Sequence, residues 1–556
     1  MLHQEQTLTL LAVSDLHGRA LEWDYLTDAP PAEPGSLARV ATLVRQIQRD
    51  NPPALLFDVG DTIEGTPMMS LAARERQMPH PMATALNALG VAAASVGNHE
   101  FNFGLSHLRR YAESCAFPVL AANIVGAHGI CSRVTRTVEC GEFGTVRVGI
   151  LGLTTPGSAI WDHAHLDGRV TIDGLVESAA EQVRALRADA ADVVVVLSHA
   201  GLGPSSTYGD ALPWPENDTA RLIREVPGID AVFLGHQHVE RVGHLTCAAT
   251  GTRVPYVEPL CFGRRLGRID LRLRRGADGR VDVLGGVPHS LPVAGVEPDA
   301  AFIAPLRAAH ERTRAYTARR IGEAAEPIEA APATLGPSAA LDLVNVVQST
   351  VVRRALHARG GQRRRVLSVT AMFGKHDGLQ RGPISIRDVS RIYPFENELH
   401  AVELSGRDLL SYLEHNACGF GDSDVPAYNV DSLGSADHDV AYEIDPMAPV
   451  GSRISGLLLD GEPVRGDEHL VVAMSNYRAS GGGGFPGTAE NPPVYDNQQR
   501  VRDLLIDWIL DRGTVHRSDL RHAEWRVRQT RPTTDTHTLK GEHRCPTRCL
   551  CRPTGG

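Results

Sequence analysis

Runs of aliphatic and β-branched residues recur through the first half of the chain, each too short for a helix and each closed by polar or glycine residues. Leu8–Val13, Leu55–Val59, Ala92–Val96, Arg147–Leu151, Val193–Leu197 and Ala231–Leu234 read as buried strands. Between them, Ser36–Arg49 and Leu175–Ala188 bring apolar residues round at helical spacing. This alternation predicts an α/β domain with helices covering sheet faces. From Pro298 to about Leu335 the composition turns to Ala, Arg, Glu and Pro, which predicts a helical connector, looser over Glu326–Thr334. A second unit comes next, with helix Ser338–Leu356, strand Val366–Thr370, strand Glu398–Leu404, helix Gly406–Asn416 and a late strand Leu470–Ser475. The expected layout is a first domain over 1–297, a connector over 298–335, a second domain over 336–528 and a disordered tail over 529–556.

Length supports that division, because 556 residues exceed the size at which one hydrophobic core stops growing. A net charge of -10 argues against a partner such as duplex nucleic acid, which selects a basic face. It does not argue against a small anionic substrate, since a bound cation can supply local positive charge. No apolar run is long enough to span a bilayer, and Met1–Val13 lacks the basic and apolar regions of an export signal. As given, the chain is expected to be cytoplasmic. Six of the nine cysteines are scattered without a disulfide framework, and the other three (Cys545, Cys549, Cys551) lie in the tail.

Chemistry gathers where the predicted strands end. Ser14-Asp15-Leu16-His17-Gly18 comes after the first, Gly60-Asp61 after the second and Gly97-Asn98-His99-Glu100 after the third. Ser198-His199 comes after Val193–Leu197, and Gly235-His236-Gln237-His238 after Ala231–Leu234. The C-terminal edges of strands are where α/β sheets build sites. Any one of these elements is ordinary: a lone Asp-x-His is usually a loop or cap, and a lone His-x-His a surface or core pair. Five in order, each after a hydrophobic run, are a different matter. Asp15, His17, Asp61, Asn98, His199, His236 and His238 supply mixed oxygen and nitrogen ligands suited to two borderline divalent metals.

The order Asp-x-His, Gly-Asp, Gly-Asn-His-Glu, His, Gly-His-x-His resembles the calcineurin-like metallophosphoesterases. Tyr393-Pro394-Phe395-Glu396-Asn397, Tyr442-Glu443-Ile444-Asp445, and Asn476-Tyr477-Arg478-Ala479 ahead of Gly481–Phe485 narrow the resemblance. They are similar to the group of 5′-nucleotidases and 2′,3′-cyclic-nucleotide phosphodiesterase/3′-nucleotidases, over about residues 7 to 528. The resemblance implies a four-layer metallophosphoesterase sandwich followed by a smaller α/β nucleotidase domain. It implies two divalent ions (Mn, Zn, Co or Mg), one held by Asp15, His17, Asp61 and His238. The other would be held by Asp61, Asn98, His199 and His236, with Asp61 bridging. His99 is implied as the catalytic histidine, acting on the transition state or the leaving oxygen. Members of this family are often exported.

Within the family, 5′-nucleotidases carry an Asp three residues after that histidine that orients it; here the position is Asn102, counted with His99 among the catalytic residues. Its carboxamide can hydrogen-bond the ring without stabilising imidazolium charge as a carboxylate does. That substitution, Leu343-Val344-Asn345 with Gln348, and Asn476-Tyr477-Arg478-Ala479 look like the cyclic-phosphodiesterase branch. The glycine-and-arginine pattern of 5′-nucleotidases after Val366–Thr370 is missing; Ala371-Met372-Phe373-Gly374-Lys375 stands there. Family resemblance points to Tyr428 and Phe485 as the rings that stack on a nucleobase, with Asn429 at its edge. The leading expectation is hydrolysis of 2′,3′-cyclic nucleotides and 3′-nucleotides. The alternatives are a 5′-nucleotidase or UDP-sugar hydrolase, a sulfur-ester hydrolase and a non-catalytic nucleotide-binding protein.

Overall fold

The computed structural model describes residues 4–528, apart from 51–52, 167, 209–210, 332–335, 361–363, 374–377 and 421–429. It divides into two units, Met1–Tyr316 and Thr317–Gly556.

In the first unit, the predicted strands fall into two six-stranded sheets. Gln4–Val13 lies inside one, parallel to Ala54–Asp58 and antiparallel to Arg265–Arg275. Val193–His199 lies inside the other, parallel to Thr145–Thr154 and Ala231–Leu234. Successive side chains of a strand point to opposite faces. Thus Leu8, Leu10, Ala12 and Phe57 meet Val148, Ile150, Val195, Leu197 and Phe233 in the core between the sheets. The alternate residues Leu11, Val13 and Leu56 pack outward with Val40 and Val44 of helix Leu37–Asp50. On the far side Leu151, Val194, Val196 and Val232 pack with Ala179, Val183 and Leu186 of helix Leu175–Ala188. The result is helix, sheet, sheet, helix: four layers. Burial on both faces explains why these strands read as unbroken apolar runs, and each such side chain contributes about 1.5–3 kcal/mol.

Two long strands, Arg265–Arg275 and Val281–Pro292, complete the first sheet without any apolar run to mark them. In the first of them, charged and half-buried positions alternate with the core residues Leu266, Ile269, Leu271 and Leu273, the period-two pattern of a strand with one polar face rather than an apolar run.

The stretch 298–335, expected as a helical connector, is divided. Helices Ala300–Ile303 and Arg307–Thr317 come first, and Phe302 and Leu306 lie in the core of the first unit. Arg320–Ala324 is instead a strand, paired with Gly382–Ser385 and Thr514–Val515 of the second unit. Strand alternation over five residues is too short to stand out in an Ala- and Arg-rich run, so only the pairing partners make it a strand.

The second unit centres on a five-stranded sheet ordered Asp431–Gly434, Val366–Ala371, His469–Ser475, Glu398–Ser405 and Tyr495–Arg500. Helix Ala339–Ala358 carries Asn345 and Gln348 into the interior, where Asn345 Nδ2 donates to Ser432 O at 3.1 Å. Arg478 is buried against Asp431, donating from Nε at 2.9 Å. Glu396 pairs with Arg500 and Arg502. These motif residues support the fold locally. Among the described residues, no helix is long and apolar enough to cross a membrane.

Candidate metal centre

The parallel register sets Val13 opposite Asp58, Leu234 opposite Ser198 and Thr154 opposite His199, so the motif loops leave both sheets at level strand ends. The chain then bends sharply. Asp15, His17, Asp61, His236 and His238 adopt φ of 51°, 46°, 55°, 81° and 54°, a left-handed backbone that is uncommon outside glycine. Such strain persists where surrounding structure over-determines it, typically at functional sites. Two glycines have no substitute here. A Cβ on Gly97 would stand 2.3 Å from Asp61 Oδ1, and one on Gly235 2.2 Å from Ser14 Oγ.

Two groups of side chains converge. Asp15, His17, Asp61 and His238 form one and Asp61, His199 and His236 the other, with ligand atoms inside each group within 4.8 Å of one another. Asp61 belongs to both. Asn98 Oδ1 lies 2.9 Å from His236 Nδ1, which adds it to the second group.

Whether cations fit can be read from the hydrogen bonds around the ligands. His236 Nε2 donates to Glu216 Oε1 at 2.8 Å, which leaves the Nδ1 lone pair facing the lone pairs of Asn98 Oδ1. His199 Nδ1 donates to Val59 O at 2.9 Å, so Nε2, fully buried and without a hydrogen bond, faces Asp61 Oδ2 at 3.0 Å. His17 Nε2 and His238 Nε2 stand 2.9 Å apart. Outer acceptors that fix the imidazole tautomer are the usual support of metal-ligating histidines. Lone pairs aimed at lone pairs are repulsive unless a proton or cation lies between them. The donor set fits a divalent cation in each group.

The charges agree. Burial pushes the Asp15 carboxyl up, but the imidazoles of His238 and His199 outweigh it and bring it down to about 2. Burial lowers His199, and Asp61 and Asp15 overturn that, raising it to about 10. Asp61, buried yet surrounded by imidazoles, stays well below the usual carboxylate range.

His99 stands beside this cluster. Its backbone N donates to Asp61 Oδ1 at 2.8 Å, its Nε2 lies 4.0 Å from Asp61 Oδ2, and its side chain is 34% exposed. Nδ1 donates to Asn102 Oδ1 at 2.6 Å. Burial lowers its pKa, while Asp61, Glu64 and Asn102 raise it, to about 9.

Several neighbours of the cluster have a part that the sequence did not show. Glu100, next to the motif histidine, is buried. It accepts from Asp61 N at 2.9 Å, Gly97 N at 2.5 Å, Thr62 N at 2.7 Å and Ile63 N at 3.3 Å, tying two ligand loops together. Glu64 Oε2 lies 3.4 Å from His99 Nδ1 and 3.6 Å from His17 Nδ1. Glu216 comes from an irregular loop and is itself held by Thr207 N at 2.7 Å. No spacing rule would have found it.

The expected base pocket is a different case. Tyr428 and Asn429 lie outside the described residues. Phe485 is 5% exposed, with its ring 4.4 Å from that of Tyr412 and the Arg478 guanidinium 4.0 Å above it.

The profile of the calcineurin-like phosphoesterases matches residues 8–240, and that of the 5′-nucleotidase C-terminal domain matches residues 320–490. The trifunctional nucleotide phosphoesterase protein YfkN of Bacillus subtilis is 29% identical over 92% of this chain, which spans only 38% of that relative's length. The 2′,3′-cyclic-nucleotide 2′-phosphodiesterase/3′-nucleotidase of Salmonella typhimurium is 27% identical, covering 90% of this chain and 85% of the relative. A solved structure of calcineurin-like phosphoesterase YfkN from Bacillus subtilis is 31% identical, with a TM-score of 0.50, covering 56% of this chain and 99% of that one. The chain belongs to the calcineurin-like metallophosphoesterases, in the group whose phosphoesterase domain is followed by a 5′-nucleotidase C-terminal domain.

Proposed function

We propose that this protein hydrolyses nucleotide phosphoesters with two divalent cations, and that 2′,3′-cyclic nucleotides and 3′-nucleotides are its preferred substrates. The observation that carries the reading is the sharing of Asp61 between two converging ligand groups. Paired cations supply the positive charge that steadies a phosphoryl group and activates an attacking water. Asp15, His17, Asp61 and His238 would hold one, and Asp61, Asn98, His199 and His236 the other. His99, with Nδ1 engaged by Asn102, has Nε2 to place a proton on the leaving oxygen. Its hydrogen-bond donation from the backbone to Asp61 keeps it in register with the ligand both groups share.

The branch within the family rests on Asn102 and on relatives such as the Salmonella enzyme. The test is a panel of 2′,3′-cyclic AMP, 3′-AMP, 5′-AMP, UDP-glucose and bis-p-nitrophenyl phosphate, with Mn²⁺, Zn²⁺ or Co²⁺ added. Higher kcat/KM on the first two nucleotides is expected, and activity lost to a chelator. A clear preference for 5′-AMP or UDP-glucose would replace the branch. Chelator-resistant hydrolysis would remove the metal reading.

A further inference from the structure

Asn102 does not end the chain of contacts behind His99. Its Nδ2 donates to Asp162 Oδ1 at 2.8 Å, while its Oδ1 accepts from His99 Nδ1 at 2.6 Å. Asp162 comes from a segment 60 residues further along, at the end of the short helix Ser158–Trp161, and is 2% exposed. That segment is fastened on both sides. Asp162 N donates to Ser158 O at 3.1 Å, and the Trp161 ring stacks on His236 with centroids 5.7 Å apart.

A carboxamide can turn either end toward an imidazole, and the two ends demand opposite protonation of the ring nitrogen. An ionised carboxylate only accepts, so it draws Nδ2 and leaves Oδ1 for His99. We propose that Asp162 is a positioning residue for the hydrolytic reaction. Acting through Asn102, it fixes the carboxamide so that His99 keeps a proton on Nδ1 and presents Nε2 to the substrate. The carboxylate that 5′-nucleotidases carry at the position of Asn102 is here one residue further out. This inference rests on the role given to His99 above.

The arrangement predicts a reciprocal exchange. Asp162→Asn removes the acceptor that orients Asn102. Asn102→Asp sets a second carboxylate against Asp162. Each single variant is expected to lose about 10- to 100-fold in kcat, part of the 10²–10⁴ that a positioned acid or base typically contributes. KM and metal content should be unchanged. The double variant Asn102→Asp/Asp162→Asn restores one carboxylate and one carboxamide in contact, and kcat should return to within about threefold of the parent if the lost coupling is the whole effect. Losses that multiply in the double variant overturn the proposal, as does an unchanged kcat in Asp162→Asn.

Should either single variant fold poorly, Asn102→Ala gives a second cycle: on that background Asp162→Asn is expected to cost nothing further in kcat. An equal further loss there also overturns it. All variants are measured as metal-loaded full-length chain on 3′-AMP and bis-p-nitrophenyl phosphate. Wild-type protein that cleaves only the synthetic ester would fail the nucleotide reading while leaving the exchange measurable. An active wild type with multiplying losses would fail the positioning role alone.

Discussion

Glu100→Gln is the substitution whose effect can be worked most directly from the structure. Of the two carboxylate oxygens, Oε2 accepts from Asp61 N and Gly97 N, and Oε1 from Thr62 N and Ile63 N. A glutamine keeps one oxygen and turns an NH₂ toward the other pair, so two buried N–H groups lose their acceptor and meet a donor instead. At about 1.5–3 kcal/mol for each hydrogen bond to a charged group, the loss is about 3–6 kcal/mol. For a unit of this size, at about 2 °C per kcal/mol, that is roughly a 6–12 °C fall in Tm. The same four donors lie in the loops that carry Asp61 and Asn98, so metal affinity should fall together with stability. The assay is thermal unfolding of chelator-treated protein, with metal per chain counted after reloading at limiting concentration. A Tm within about 2 °C of the parent and unchanged loading would refute the reasoning, because the two lost hydrogen bonds would then be worth less than about 1 kcal/mol together.

His99→Ala should lower kcat by about 10²–10⁴ with metal content intact, and loss of a metal would instead make His99 a ligand. Metal loading should weaken as pH falls. In the cation-free cluster, burial disfavours the charged imidazoles, but Asp61 and Asp15 beside His199, and Asp15 and Cys261 beside His238, hold their protons up to about 10 and about 11, and a cation must displace them. Titration calorimetry in buffers of different ionisation enthalpy should reveal that proton release, and buffer-independent heats would refute it. Phe485→Ala is expected to cost about 3–5 kcal/mol of stability, because the ring is packed under Arg478 and against Tyr412. A selective loss on 3′-AMP with an unchanged Tm would make Phe485 the stacking partner of the base.

Much of the first unit was legible because its strands are buried on both faces. Such strands write themselves as short apolar runs, and the residues just beyond each run sit at a strand end however the remainder of the chain folds. Asp15, His17, Asp61, Asn98, His199, His236 and His238 therefore stand out as candidate ligands in the sequence alone. Strands such as Arg265–Arg275, with polar residues between the core positions, carry a period-two alternation instead of an apolar run. The sequence also carried Asn102 as a departure, but not its consequence. Which residues stand behind the ligands depends on where distant segments arrive. Glu216 reaches His236 from 20 residues away, and Asp162 reaches Asn102 from 60, each from a loop or helix end without periodicity. Periodicity is a local property and survives in the chain. The partner of a buried polar atom is set by the packing of segments remote in sequence, and only the tertiary structure decides it.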